Sequence, residues 1–227
     1  PQSGIDREFI SSHAHLRESK PEGGPLRLVS ACRLIHWKAV DLTIAAVAQA
    51  AEKIDVRLDI LQEGPEKGRL IALAEELGVA DRVSFLGRLP TIEAVYAKIA
   101  SSDGLIHPAL HEAFGQACLE ALALGVPVIC LDWGGPGIIV DDATGFKVCP
   151  GSRAETISRL AEAMRLLNDR SSSPDSKNCV KRAESEFSWS KIAAEVGEVY
   201  GRLSPDPAET PMSVSGGSKV SEIVNPA

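Results

Sequence analysis

The sequence predicts an α/β fold in which a parallel β-sheet carries helices on both faces. Two observations point to it. Short apolar runs rich in Val, Ile and Leu alternate with longer helical patterns along most of the chain. Each stretch whose residues could carry chemistry falls on a loop leading out of one of those runs, where parallel sheets bind their ligands. The 227 residues, 44% hydrophobic, are ample for a core.

Residues 1–25 hold Gly, Pro, Ser and mixed charge and end in Pro21-Glu-Gly-Gly-Pro25, so they are expected to be a linker or N-terminal segment ahead of the folded domain. Strands are then expected at 26–31, 56–61, 83–86, 104–107, 126–131 and 145–148, and helices at 39–53, 66–78, 91–100, 114–125 and 153–168. Together 26–170 form one Rossmann-like domain in this reading. A further helical stretch over 174–203 is broken near Phe187-Ser-Trp-Ser190, where Ser188 or Ser190 can cap a new helix. Residues 204–227 are rich in Ser, Pro, Gly and Glu, contain no aromatic residue, and are expected to be a disordered tail.

A formal net charge of -7 argues against nucleic acid as the main partner, since phosphate backbones demand clustered Lys and Arg. The five cysteines show no metal-type spacing and read as reduced core residues of a cytosolic protein. No apolar run approaches the roughly 20 residues that cross a bilayer, and no signal peptide is apparent at Pro1. The absence of an initiating Met leads us to expect a fragment of a longer chain.

The most informative segment runs from His107 to Cys130. Glu120 is the only charged residue between Glu112 and Asp132, and Gln116, Ala117, Ala123 and Leu124, its helical neighbours, are read as offering it no pairing. An acid on so apolar a helix costs stability unless something compensates it, and a hydroxyl-bearing ligand such as a ribose diol would. The loop Pro108 to Gly115 precedes a helix whose first N–H groups and dipole make an anion site. Gly115 there leaves room for a phosphate, and Glu112 reaches a sugar hydroxyl or simply complements the dipole. Arg33 and Lys38, on the turn after the first strand, suit a diphosphate, although exposed basic residues are often merely solvated.

Three more loops close the set. Gln62-Glu-Gly-Pro65 is a turn by composition. Phe85-Leu-Gly87-Arg88 ends its strand on a glycine that a flat base could approach. Asp132-Trp-Gly-Gly135-Pro-Gly137 is a glycine-rich loop whose amides could meet phosphate or sugar oxygens. The Gly-x-Gly-x-x-Gly dinucleotide fingerprint is absent, which argues against an NAD enzyme, and there is no serine nucleophile elbow or Walker lysine.

With these residues in place, the chain resembles the donor-binding half of GT-B-fold glycosyltransferases, most closely glycosyltransferase family 4, over residues 1–203. The likeness rests on Gly4-Ile-Asp6, Arg33 and Lys38, the Gln62 and Phe85 turns, and above all Glu112 and Glu120 with seven residues between them, followed by Ala121-Leu-Ala-Leu-Gly125-Val-Pro-Val128. It implies a retaining transferase that moves a sugar from a nucleotide-sugar, such as a UDP- or GDP-sugar, to a glycan or lipid-linked acceptor without a required metal or other cofactor. By similarity Arg33 and Lys38 hold the diphosphate, Glu112 meets the donor sugar and Glu120 binds the ribose. Phe114, Gly115, Gly87, Arg88, Gly134 and Gly135 then line the donor, and 171–203 include the helix that crosses back to the other half. The resemblance also implies a cytoplasmic enzyme, with peripheral association at the inner face of the membrane arising in the other half.

The sequence departs from the family pattern in three places. Cys32 and Ala39 stand where Gly usually precedes the Arg and follows the Lys, and Ile138 stands where many members carry an acid. The N-terminal acceptor-binding half is not in this chain, so the polypeptide alone is expected to bind donor and transfer poorly. A GT-B-fold nucleotide-sugar epimerase and a non-catalytic nucleotide-binding module are the alternative readings.

Overall fold

Six parallel strands form one sheet in the order β3-β2-β1-β4-β5-β6 in a computed structural model that describes residues 4–16, 24–169 and 171–203. The strands are β1 (Leu26–Ala31), β2 (Val56–Leu61), β3 (Val83–Gly87), β4 (Gly104–His107), β5 (Val128–Leu131) and β6 (Gly145–Val148). The helices are α1 (Arg7–Ser12), α2 (Val40–Ala50), α3 (Lys67–Glu76), α4 (Ile92–Ala100), α5 (Gln116–Ala123), α6 (Gly134–Ile139), α7 (Arg153–Asn168), α8 (Ser176–Phe187) and α9 (Trp189–Leu203). The α/β architecture expected from the alternation of strand and helix patterns is therefore present.

Alternation along each strand sorts its side chains to the two faces. Leu26 and Leu28, Leu58 and Ile60, Ile106, Ile129 and Leu131 join one buried cluster with residues of α2, α3 and α7. Val29, Leu61, Leu105, Val128 and Cys130 join the other, with residues of α1, α4, α5 and α8. Both faces of the central strands are thus covered, as a parallel sheet requires.

Local chemistry sets the ends of the elements. Thr91 caps α4 through the Ala94 amide at 3.2 Å, and Ser152 with Glu155 makes a reciprocal capping box on α7. Gly125, at φ +72°, turns the chain out of α5. β5 starts at Val128 rather than 126, because Pro127 has no N–H for the ladder, although its carbonyl still accepts from the Leu105 amide at 2.9 Å. Ser188, not Ser190, caps α9 by accepting from the Lys191 amide at 3.4 Å.

Two α-helices lie outside the elements read from the periodicity of the sequence. α6 is six residues made of Gly-Gly-Pro-Gly-Ile-Ile; Pro136 fits because its missing N–H falls in the first turn, where no intrahelical acceptor exists. α1 lies in the segment read as a linker, and Ile5 and Ile10 there are buried in the second cluster. The Ile5 amide donates to the Phe187 carbonyl at 2.9 Å and the Trp189 amide to the Ile5 carbonyl at 3.2 Å, joining the chain's start to the junction of α8 and α9.

The compact unit ends at Ile192, and the second unit, from Ala193, is helical over its described residues to Leu203. The tail expected at 204–227 lies outside the described residues. Among the described residues no helix is long and apolar enough to cross a membrane.

Candidate functional site

Strand order reverses between β1 and β4: the chain builds outward from β1 to β3, then returns to place β4 on the other side of β1. Such a switch point opens a crevice beyond the strand carboxyl ends. The loops at those ends are tied together by backbone hydrogen bonds in the same order as the strands. Gln62 donates to Gly87 at 2.7 Å, Leu34 to Glu63 at 3.1 Å, Leu110 to Trp37 at 2.8 Å and Gly135 to Glu112 at 3.2 Å. These bonds make one continuous rim from the loop after β3 to the loop after β5.

Lys38 ends a short 3-10 turn after β1 (His36–Lys38), and Glu112 sits in the loop after β4. Their side chains, 16% and 19% exposed, form an ion pair through Oε2 of Glu112. His107, the last residue of β4, contacts that same oxygen through Nε2 at 3.1 Å. The hydrogen bond from His107, opposed by burial and reinforced by Lys38, holds the Glu112 carboxyl down to about 2. Glu112 is therefore a fixed anion whose charge is already partly met.

Ala39 follows Lys38 directly. It adopts φ +51° and ψ 38°, the left-handed conformation that a glycine would take without strain, and it is the N-cap residue of α2.

Glu120 lies on α5, half buried. Burial raises its carboxyl, and the side-chain amide of Gln116, one turn earlier, offsets part of that by hydrogen bonding. Gln116 is thus a partner that the sequence reading did not grant it, though a neutral one. Tyr96 on α4 lies near enough for the Glu120 charge, after burial, to raise its hydroxyl. Tyr96 itself meets Phe9 and His13 edge-on, at 4.8 and 5.1 Å between ring centroids, so the N-terminal segment reaches the neighbourhood of Glu120.

The N-terminus of α5 carries no side-chain cap, because Gly115 precedes it at φ +97°. The Gly115 carbonyl accepts from the Cys118 and Leu119 amides, which leaves the first-turn amides outward. A Cβ on Gly135 would overlap the Phe114 carbonyl oxygen, and one on Gly134 would lie 2.5 Å from that of Glu112. The glycines of this loop therefore serve close docking against the Glu112 loop, and the Gly135 amide is spent on it. The Phe114 ring packs into the second cluster, edge-on to Phe187 at 6.4 Å.

Among the exposed cations, Arg33 and Arg88 form no ion pair with a described residue. Gly87, at φ +68°, faces Glu63, which pairs with Lys67 at 2.7 Å. The structure thus joins Lys38, Glu112, Gly115, Gly134 and Gly135 directly, and sets Gly87 with its neighbour Arg88 further along the rim. Four cysteines are buried as expected; Cys149, after β6, is exposed, because it follows the last strand residue instead of lying within an apolar run.

The residue that the sequence reading passed over is His107. Its signal was present: a lone imidazole closing a strand that is otherwise apolar and buried throughout.

Comparison with known proteins agrees with this architecture. The chain is 31% identical over 193 residues to the GDP-mannose-dependent phosphatidylinositol dimannoside mannosyltransferase of Mycobacterium tuberculosis, covering 84% of this chain and 48% of that one. It is 29% identical over 197 residues to the glycogen synthase of the same organism, covering 83% and 46%. It spans about half the length of these curated relatives. Among solved structures, sucrose-phosphate synthase from Thermosynechococcus elongatus superposes with a TM-score of 0.69 at 27% identity, over 88% of this chain and 51% of that chain. Residues 12–186 match the model of one family, and on that match this chain belongs to the glycosyl transferases group 1.

Proposed function

We propose that this chain is the donor-binding, C-terminal half of a retaining glycosyltransferase of family 4, moving a sugar from a nucleotide-sugar to a glycan or lipid-linked acceptor. The observation that carries the reading is the meeting of Lys38 and Glu112 across the β1/β4 switch point, beside the uncapped N-terminus of α5. A cation, an anion and free amides at one crevice suit a ligand that carries both phosphate and hydroxyl groups.

In this reading Arg33 and Lys38 take the diphosphate and, with the α5 amides, stabilise the charge that develops on it as the glycosidic bond breaks. Positive charge from these groups makes a metal unnecessary. Glu112 binds the hydroxyls of the donor sugar, and Gly115, Gly134 and the backbones of Phe114 and Gly135 lie beside it. Glu120 accepts from the ribose diol, whose hydroxyls compensate a carboxylate that burial disfavours. Gly87 and Arg88 flank the base. The acceptor is bound by the partner half, which brings any peripheral contact with the inner face of the membrane, and the site works in the cytoplasm. The likeness to the relatives above supports the same reading, since they are named as a mannosyltransferase that depends on GDP-mannose and a glycogen synthase.

The test is calorimetric titration of the chain with UDP, GDP and ADP and with their sugar conjugates, beside Glu120→Ala and Arg33→Ala. Saturable binding of one nucleotide, weakened by both changes, is expected, with poor transfer by the chain alone. A folded chain that binds none of them overturns the reading.

A further inference from the structure

The imidazole of His107 is 3% exposed at the end of a strand whose other members are Gly, Leu and Ile. A leucine there would extend the apolar run without burying a polar ring. The histidine leaves its Nδ1 buried with no hydrogen-bond partner among the described residues. An orphaned buried polar atom is unfavourable, so the other nitrogen must offset it. That nitrogen, Nε2, lies 3.1 Å from Oε2 of Glu112. An ionised carboxylate can only accept, which makes Nε2–H the donor.

Both protein partners of Glu112 use the same oxygen. Lys38 Nζ and His107 Nε2 converge on Oε2, and Oε1 has no hydrogen bond to a described residue. One edge of the carboxylate is anchored and the other is left for a ligand. The two anchors differ in kind. Lys38 stands on a loop with a long flexible stem, and a bound diphosphate would draw its ammonium away from Glu112. His107 is held by the strand and stays.

We propose that His107 is a positioning residue for donor recognition: its Nε2–H holds the Glu112 carboxylate so that Oε1 meets the hydroxyls of the sugar carried by the nucleotide. The inference rests on the donor-binding reading above and adds the group that makes Glu112 selective for the sugar part of the ligand.

The test compares His107→Leu, which removes the donor at similar volume, with His107→Gln, which keeps an N–H of similar reach. UDP, UDP-glucose, GDP and GDP-mannose are titrated into the wild-type chain and both variants, with thermal melting as a check of folding. In the wild type the matching sugar conjugate binds more tightly than its bare nucleoside diphosphate. His107→Leu is expected to shrink that advantage about tenfold, the scale of one hydrogen bond to a charged group, while affinity for the bare nucleotide stays within about twofold. His107→Gln restores most of it. A purely structural role would weaken both ligands together and would not be rescued by Gln. A sugar advantage that is absent from the wild type, or kept in His107→Leu, or lost in step with nucleotide affinity, overturns this proposal alone. A wild-type chain that binds no nucleotide overturns the donor-binding reading and this proposal with it.

Discussion

Lys38 and Glu112, 74 residues apart in the chain, form an ion pair across the junction of β1 and β4. The sheet order creates this contact, since β4 returns to lie beside β1 and brings the two loops together. Because His107 and Lys38 hold the Glu112 carboxyl down to about 2, below its ordinary 4.5, the folded state binds fewer protons than the unfolded chain. The stabilisation is full above about pH 4.5 and is lost as pH falls through about 2. Urea denaturation of wild type and Glu112→Gln should show the largest gap near neutral pH and a shrinking one towards about pH 3. A gap that does not change with pH would refute the assignment.

Glu120 behaves in the opposite sense. Its carboxyl is raised, chiefly by burial, so ionisation costs native stability once pH exceeds the unfolded value, and the cost is complete above the folded one. Glu120→Gln should therefore melt at a higher temperature than wild type at neutral pH, with the difference narrowing in acid. The same change should weaken nucleotide binding. Destabilisation at neutral pH would show that Glu120 is held by contacts within the fold and not for a ligand.

The glycines divide into those that touch and those that do not. Gly135→Ala forces a methyl into the Phe114 carbonyl and should destabilise by about 3 kcal/mol or more. It also pushes on the loop that carries Glu112. Gly68, in α3, has open space where a methyl would stand, and Gly68→Ala should stabilise by about 0.5–1 kcal/mol through helix propensity. Chemical denaturation of the two variants checks both signs.

Ala39 sits buried in the left-handed region. Ala39→Gly relieves backbone strain of about 1–2 kcal/mol but loses a buried methyl and frees the unfolded chain, so the net change should stay within about 1 kcal/mol. Ala39→Val adds a β-branch that this conformation resists and should cost about 2 kcal/mol or more. Equal stability of the Val and Gly variants would contradict the geometry.

The candidate residues could be picked out from sequence where their chemistry is local. The apolar surroundings of Glu120 on its helix and the basic pair Arg33 and Lys38 on one turn are local features of the sequence, while the weight given to the spacing of Glu112 and Glu120 comes from the family resemblance. The α/β class was legible for the same reason, since patterns of two and 3.6 residues are written along the chain. α6 was not, because three glycines and a proline carry no helical pattern; it exists because Gly134 and Gly135 let that loop press against Phe114 and Glu112. α1 was not, because so short a helix is held by burying Ile10 against distant elements.

The sequence by itself determined that a parallel sheet with helices on both faces forms, and which loops carry acids, bases and glycines. Only the tertiary structure decided which of them meet. Strand order put the Lys38 loop beside the Glu112 loop, so that Lys38 meets the carboxylate oxygen that His107 contacts from five residues away, and it spent the Gly135 amide on the Glu112 carbonyl. The contacts of Lys38 and Gly135 with the Glu112 loop join the ends of separate strands, and their positions are fixed by sheet pairing and core packing, which no local pattern of residues encodes.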